Sequence, residues 1–254
     1  MISAVVIAKN EQKNISRCLE SVKWANEIVV VDDYSLDGTI DICRKYTQNI
    51  YQNKFVNYSL QKRFAFSKAG KDWILSIDAD EVVPEGLKEE ILKVLAQKDI
   101  SNNGYNVPRK TFFLGKWIRH CGWYPDYQLR LFKSDSWDMK EVCVHESVQV
   151  TGKTGYLKEP ILHYSFPSIT VYISRMNKYT SLAAQDMLKD AVLMDNSNIK
   201  SVAVRKALKT FWKMYVRQCG FLDGMHGFFL SFFSSIYRFM TYVKFWEIAA
   251  NQNG

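Results

Sequence analysis

The first eighty residues alternate between short apolar runs and stretches of helical spacing. Ile2 to Ala8 is apolar apart from Ser3 and reads as a strand buried on both faces. Asn10 to Val22 places Ile15, Cys18, Leu19 and Val22 on one helical face, with Asn10 or Asn14 as the cap. Glu27 to Asp32 is a second buried strand, and a helix is expected to start at Asp37. A weaker strand around Asn49 to Gln52, a helix over Leu60 to Ala69 and a strand over Lys71 to Asp78 follow. Pro84 then opens a helix over Glu85 to Ala96. Fully apolar strands alternating with helices predict an α/β fold with a mainly parallel sheet covered on both faces. In such sheets the ligand lies beyond the carboxyl ends of the strands.

From Gly104 to Ser165 the pattern changes to short strands without helical spacing: Tyr105–Arg109, Tyr127–Phe132, Val142–Val150 and Gly155–Tyr164. After Pro167 the chain reads as helical to its end. The expected organisation is an α/β part over 1–103, a β region of the same domain over 104–166 and a helical extension over 167–254. A length of 254 residues suffices for a core without staples, and 47% hydrophobic with 24% charged residues excludes wholesale disorder. Five scattered cysteines without a C-x-x-C pair argue against a disulfide framework and a zinc knuckle, and favour a reducing cytosol. Met1 to Lys9 has no basic leader, so no signal peptide is expected. The charge-free run from Gly224 to Tyr237 falls short of the roughly 20 residues of a spanning helix.

The chemistry concentrates at two strand ends. The second strand runs into Asp32-Asp33-Tyr-Ser35-Leu-Asp37-Gly38-Thr39, and the fourth into Asp78-Ala-Asp80-Glu81. On an extended segment Asp78 and Asp80 point the same way and can converge on one ligand. Carboxylates gathered at one sheet edge repel unless a cation sits among them, and hard oxygen ligands suit Mg²⁺ or Mn²⁺. No glycine-rich phosphate cradle follows the first strand, which disfavours dehydrogenases and P-loop kinases.

Three segments carry a resemblance: Val5-Val-Ile-Ala8-Lys-Asn10-Glu11, Val30-Val-Asp32-Asp33 with Ser35 and Asp37-Gly-Thr39, and Trp73 to Glu81. In order and spacing they resemble the signatures of family 2 inverting glycosyltransferases, which have the GT-A fold and use nucleotide-sugar donors. Gly122-Trp-Tyr-Pro-Asp126-Tyr-Gln-Leu-Arg130-Leu-Phe132 and Val144-His145-Glu146 are similar to the lipopolysaccharide-core β-1,4-glucosyltransferase branch. The resemblance implies transfer of a hexose, glucose from a UDP donor, to a lipopolysaccharide or lipooligosaccharide core acceptor. It implies that Ala8, Asn10 and Glu11 line the base and ribose pocket, that Asp33 contacts the uracil and that Asp78 lies near ribose and diphosphate. Asp80 matches the metal ligand, for Mg²⁺ or Mn²⁺. Lys62 and Arg63, on the preceding helix, either add positive charge at the donor or form a solvated face.

Inverting transfer needs a base for the acceptor hydroxyl. Asp126, among Trp123, Tyr124 and Tyr127, is the first candidate, with His145 and Glu146 the second, although Pro-Asp is equally a turn former. Trp123 and Tyr124 are expected to stack on acceptor sugar. Arg109, Arg119 and Arg130 either clamp an acidic acceptor or make structural ion pairs.

The chain carries a net charge of +8, and residues 200–254 hold eight basic side chains against two acidic ones. Lys206, Lys209, Lys213 and Arg217 form one helical stripe, Val204, Leu208, Phe211 and Tyr215 another, and a Phe-rich stretch follows. This predicts docking at an anionic membrane, with helix packing or a dimer interface as alternatives. A peripheral enzyme on the cytoplasmic face of the inner membrane, meeting a lipid-linked oligosaccharide, is the leading expectation. A polyprenyl-phosphate sugar transferase and a sugar nucleotidyltransferase are the enzyme rivals. Nucleic-acid binding is disfavoured, since the charge follows one helix instead of lining a groove.

Overall fold

The computed structural model describes residues 1–139, 148–190 and 198–252. It divides into two compact units, Met1–Lys110 with Asp126–Ser165, and Thr111–Pro125 with Phe166 onward.

In the first unit, strands β1 (Ile2–Ala8), β2 (Glu27–Asp32), β3 (Ile50–Gln52) and β4 (Trp73–Asp78) pair in parallel in the order β3-β2-β1-β4. Pleating divides β1 between two cores. Ala4, Val6 and Ala8 pack with Ile15, Cys18 and Leu19 of helix α1 (Ile15–Glu20), while Val5 packs with Ala65 and Phe66 of helix α3 (Tyr58–Phe66). Burial on both faces explains the uninterrupted apolar runs of these strands. Helix α2 (Thr39–Cys43) follows β2, and α4 (Glu85–Leu95) buries Leu87 and Ile91 in the α1-side core.

The parallel pattern stops at β4. Strand β8 (Asp126–Lys133) joins it antiparallel, then β6 (Gly104–Phe113), β12 (Ile161–Phe166) and β5 (Glu81–Val82) continue the sheet. The sheet is therefore mixed, and its parallel half is the part that reads from apolar runs. Strand β10 (Val148–Val150) pairs antiparallel with β9 (Trp137–Met139), and β11 (Thr154–Tyr156) pairs with β6.

The second unit contains β7 (Lys116–Trp117) and helices α5 (Ile169–Asp190), α6 (Ile199–Trp212) and α7 (Met225–Gln252). The segment Thr111–Pro125 belongs to this unit, whereas the sequence reading puts it in the β region. Phe113, Ile118, Cys121, Tyr172, Met214 and Leu230 form its main core. Asp223 is buried and caps the loop by accepting from the Arg119 and His120 amides at 3.1 and 2.8 Å. A Cβ on Gly227 would fall 1.9 Å from the Gly220 carbonyl oxygen, so only glycine allows α7 to approach the turn before it. Among the described residues no helix is long and apolar enough to cross a membrane.

Candidate active site

The site lies at the carboxyl ends of β1, β2 and β4, which parallel pairing brings to one edge: Ala8 registers with Asp32, and Ile7 with Asp78. Loops 9–11 and 33–37 are laced together there. Asn10, in the left-handed region at φ 53° that asparagine tolerates, donates its amide to Ser35 Oγ at 2.8 Å and accepts the Leu36 amide at 2.8 Å. The Glu11 amide donates to Thr39 Oγ1 at 2.8 Å. Asp32 is fully buried and accepts from the amide and hydroxyl of Ser35 at 2.8 and 2.5 Å, so it supports the loop from beneath.

Asp33 follows at the rim. Its carboxylate accepts the Phe55 amide at 3.0 Å and lies 3.3 Å from Lys9 Nζ, which also donates to the Asp33 carbonyl. Ala8 is buried and offers its backbone, its carbonyl accepting the Asp33 amide at 3.0 Å. Ala8, Asn10, Glu11 and Asp33 thus belong to one wall.

The second acidic cluster is separated by its partners. Arg130, from β8, places Nη2 2.7 Å from Asp78 Oδ2 and 2.5 Å from Glu81 Oε1. Lys62 Nζ approaches Asp78 from α3 at 3.7 Å. Burial raises the Asp78 pKa most, but Arg130 and Lys62 together outweigh it and hold the carboxyl well below the usual range. Glu81, fully buried, is pushed up by burial, opposed by Arg130 and reinforced by the Asp78 charge. Asp78 therefore keeps its charge and anchors the cluster.

Asp80 has a different neighbour. β4 ends at Asp78, so Asp80 sits in the turn to β5, where antiparallel pairing sets His163 of β12 opposite Glu81. His163 Nε2 lies 3.5 Å from Asp80 Oδ1, and the Tyr164 amide donates to the Asp80 carbonyl at 2.9 Å. Among the described residues no group of three or more His, Cys, Asp or Glu forms a protein-only metal cage. The Asp80 carboxylate is a hard oxygen donor that fits Mg²⁺ or Mn²⁺, cations that keep water and substrate phosphate among their ligands, and the imidazole beside it suits Mn²⁺ better than Mg²⁺.

The remaining expected residues divide. Arg63 turns away to Asp138 Oδ1 at 3.0 Å and the Met139 carbonyl at 2.9 Å, so of the two α3 cations only Lys62 reaches the acidic cluster. Arg130, expected on the acceptor side, is 5% exposed and held between Asp78 and Glu81; a guanidinium so enclosed is a clamp for the 78–81 turn. Asp126 stands at the start of β8, one oxygen held by Arg109 Nε and Nη2 at 2.9 and 2.5 Å and the other by Gln128 Nε2 at 2.8 Å. Trp123 and Tyr124 belong to the second unit, where their rings pack on Phe166 and Trp117. His145 and Glu146 lie outside the described residues. The sequence reading misses His163, and it quotes Glu81 and Lys9 within their motifs without giving either a role. A histidine in an otherwise apolar Ile-Leu-His-Tyr strand is the available signal for the first, but only the β5–β12 register brings it to Asp80.

Comparison with known proteins bears on this site. The family model "Glycosyl transferase family 2" matches residues 3–149, which include the strand ends described above. An uncharacterized glycosyltransferase of Rickettsia prowazekii is 29% identical over 261 residues, covering 98% of this chain and 87% of that protein. The lipopolysaccharide core biosynthesis glycosyltransferase LpsC of Rhizobium meliloti is 27% identical over 263 residues, covering 97% and 92%. Among solved structures, S. aureus TarS 1–349 in complex with UDP-GlcNAc aligns over 99% of this chain and 92% of that chain, with 12% identity and a TM-score of 0.47.

Proposed function

The chain belongs to glycosyl transferase family 2, and from that premise we propose that it moves a glucose unit from UDP-glucose, with inversion, to the core oligosaccharide of a lipid-linked acceptor. The observation that carries the reading is the division of labour at β4: Arg130 and Lys62 hold Asp78, while Asp80 lies beside His163. Asp80 and His163 are the residues that hold a divalent cation in this reading. Such a cation, when bound, offsets the charge that grows on the departing diphosphate.

The chain's own side chains do the rest. Asn10, Glu11 and Asp33 form the wall for base and ribose, and Lys9 adds a positive charge at that rim. Lys62 lies on the diphosphate side through its approach to Asp78. Asp126 takes the proton from the acceptor hydroxyl, oriented by Arg109 and Gln128 as a base commonly is by a third group. The lipopolysaccharide-core acceptor is carried from the likeness to LpsC. In this reading the enzyme works as a peripheral protein at the cytoplasmic face of the inner membrane.

The test is a panel of UDP-, GDP- and TDP-sugars with Mg²⁺, Mn²⁺ or chelator, read as nucleotide release and as transfer to isolated core oligosaccharide. Metal-dependent turnover of UDP-glucose with an inverted product linkage is expected. Turnover of every donor that is indifferent to chelator would remove the cation, and transfer only to polyprenyl phosphate would reassign the acceptor.

A further inference from the structure

The sequence shows one apolar and one basic stripe on α6; the structure separates three. Packing takes Ile199, Ala203 and Ala207, with Met214 just beyond the helix, all buried. A second apolar band, Val204, Leu208 and Trp212 at four-residue spacing, turns away from that core and is 44, 66 and 60% exposed. Next to it around the helix run Arg205, Lys209 and Lys213, all exposed, and the described residues give none of the three a carboxylate partner.

The exposed band continues beyond α6. Phe211 and Tyr215 stack at 5.3 Å, and Phe228 of α7 meets both rings at 6.1 and 5.8 Å. In the turn between the helices Phe221, Leu222 and Met225 are exposed, as are Phe228 and Phe232 one turn on. A contiguous exposed patch of this kind marks an interaction surface.

We propose that this α6–turn–α7 face inserts into an anionic lipid bilayer, with Leu208, Trp212, Leu222 and Met225 at the acyl boundary and Lys209 and Lys213 on the head groups. The inference deepens the peripheral-membrane part of the proposed function and is independent of the donor chemistry. Charge complementarity selects the occupant. The core of a protein interface is depleted of charge, and a twofold pairing of this face would set its unpaired cations against their own copies. A bilayer bearing anionic lipid accepts both halves of the pattern, aromatic and aliphatic side chains within and lysines at the surface. Packing of the tail onto its own unit, the alternative open from sequence, uses the alanine face and leaves this one uncovered.

The test is flotation of the full chain with vesicles of phosphatidylethanolamine and phosphatidylglycerol, against vesicles of phosphatidylcholine. Two double variants accompany it, L208D/W212D and K209E/K213E, both at exposed positions, so their melting temperatures should match wild type. Binding to the anionic vesicles alone is expected, weakening as salt rises. Each unit of charge near the surface is worth roughly fivefold in partition, so K209E/K213E should lose more than tenfold, and L208D/W212D at least as much. Equal binding of wild type and both variants overturns the proposal, as does equal binding to both vesicle types. A wild-type dimer that L208D/W212D dissolves, without vesicle binding, gives the face to a second copy and overturns it too. Nucleotide release from UDP-glucose is read in parallel. Vesicle binding without release supports this surface and counts against the transfer reading, while release without vesicle binding does the reverse.

Discussion

Arg130 Nη2 lies 2.7 Å from the Asp78 carboxylate, bringing β8 and the end of β4 together across 52 residues of sequence. The same nitrogen reaches Glu81, so one buried cation spans both ends of the turn that carries Asp80. Removing it would leave two carboxylates in a buried pocket, of which Lys62 faces only Asp78. Breaking such a cluster costs about 3–5 kcal/mol. Arg130→Ala should therefore lower the melting temperature by roughly 10 °C, measured by thermal unfolding at neutral pH. Arg130→Lys keeps the charge but loses the fork, and should recover part of the loss. A variant as stable as wild type would show that the clamp contributes nothing.

Asp80 and His163 are paired in the proposed cation site, so their loss should weaken the same property. Asp80→Asn is expected to lower UDP-glucose turnover by about 100-fold or more. His163→Gln should raise the Mn²⁺ concentration needed for half-maximal rate while leaving turnover at saturating Mn²⁺ closer to wild type. Titrating the cation against each variant makes the comparison. An unchanged Mn²⁺ dependence in His163→Gln would assign the histidine to structure alone.

How much of this was legible depends on locality. The strand ends of β2 and β4 stand out because parallel strands covered on both faces need unbroken apolar runs, and the acidic residues end those runs abruptly. The partners of Asp78 and Asp80 do not stand out, because they arrive through antiparallel registers with β8 and β12 that no local spacing encodes. Two-residue spacing suggests that both carboxylates share a ligand, yet β4 ends at Asp78 and Asp80 occupies a turn with its own neighbour. In α6 the periodicity reveals an apolar face but favours the larger side chains. The face that packs includes Ala203 and Ala207, small residues that allow close approach, while Leu208 and Trp212 remain outside.

The acceptor side tests a separate step. Asp126→Asn should reduce transfer by about 10²- to 10⁴-fold, the usual contribution of a positioned base, while slow hydrolysis of UDP-glucose by water stays within a few-fold. Arg109→Ala removes both bonds to Asp126 Oδ2 and leaves the carboxylate oriented through Gln128 on Oδ1, so it should impair transfer more than hydrolysis. Transfer and hydrolysis rates measured on the same preparations separate the two. Full transfer by Asp126→Asn would move the role to His145 or Glu146.

Two buried thiols, Cys18 and Cys43, lie behind the donor wall. Cys43 is pushed up to about 12, first by burial and then by the neighbouring Asp32 carboxylate; Cys18 is raised well above its usual value, by burial above all. Both thiols should stay unlabelled by iodoacetamide at pH 8 in the native state, while the half-buried Cys219 reacts. Residue-level mass spectrometry reads this directly. The same shift has a sign in stability. A thiol that binds its proton more tightly when folded contributes stability that is present below the unfolded pKa and is lost as pH rises towards the folded value. Unfolding free energy should therefore fall from about pH 9 upward, with Cys43 contributing a slope of at most about 1.4 kcal/mol per pH unit. Cys43→Ala should remove that slope relative to wild type in denaturant titrations between about pH 9 and about pH 10.5. Parallel stability curves for the two proteins would mean that Asp32 and burial leave the Cys43 thiol unperturbed.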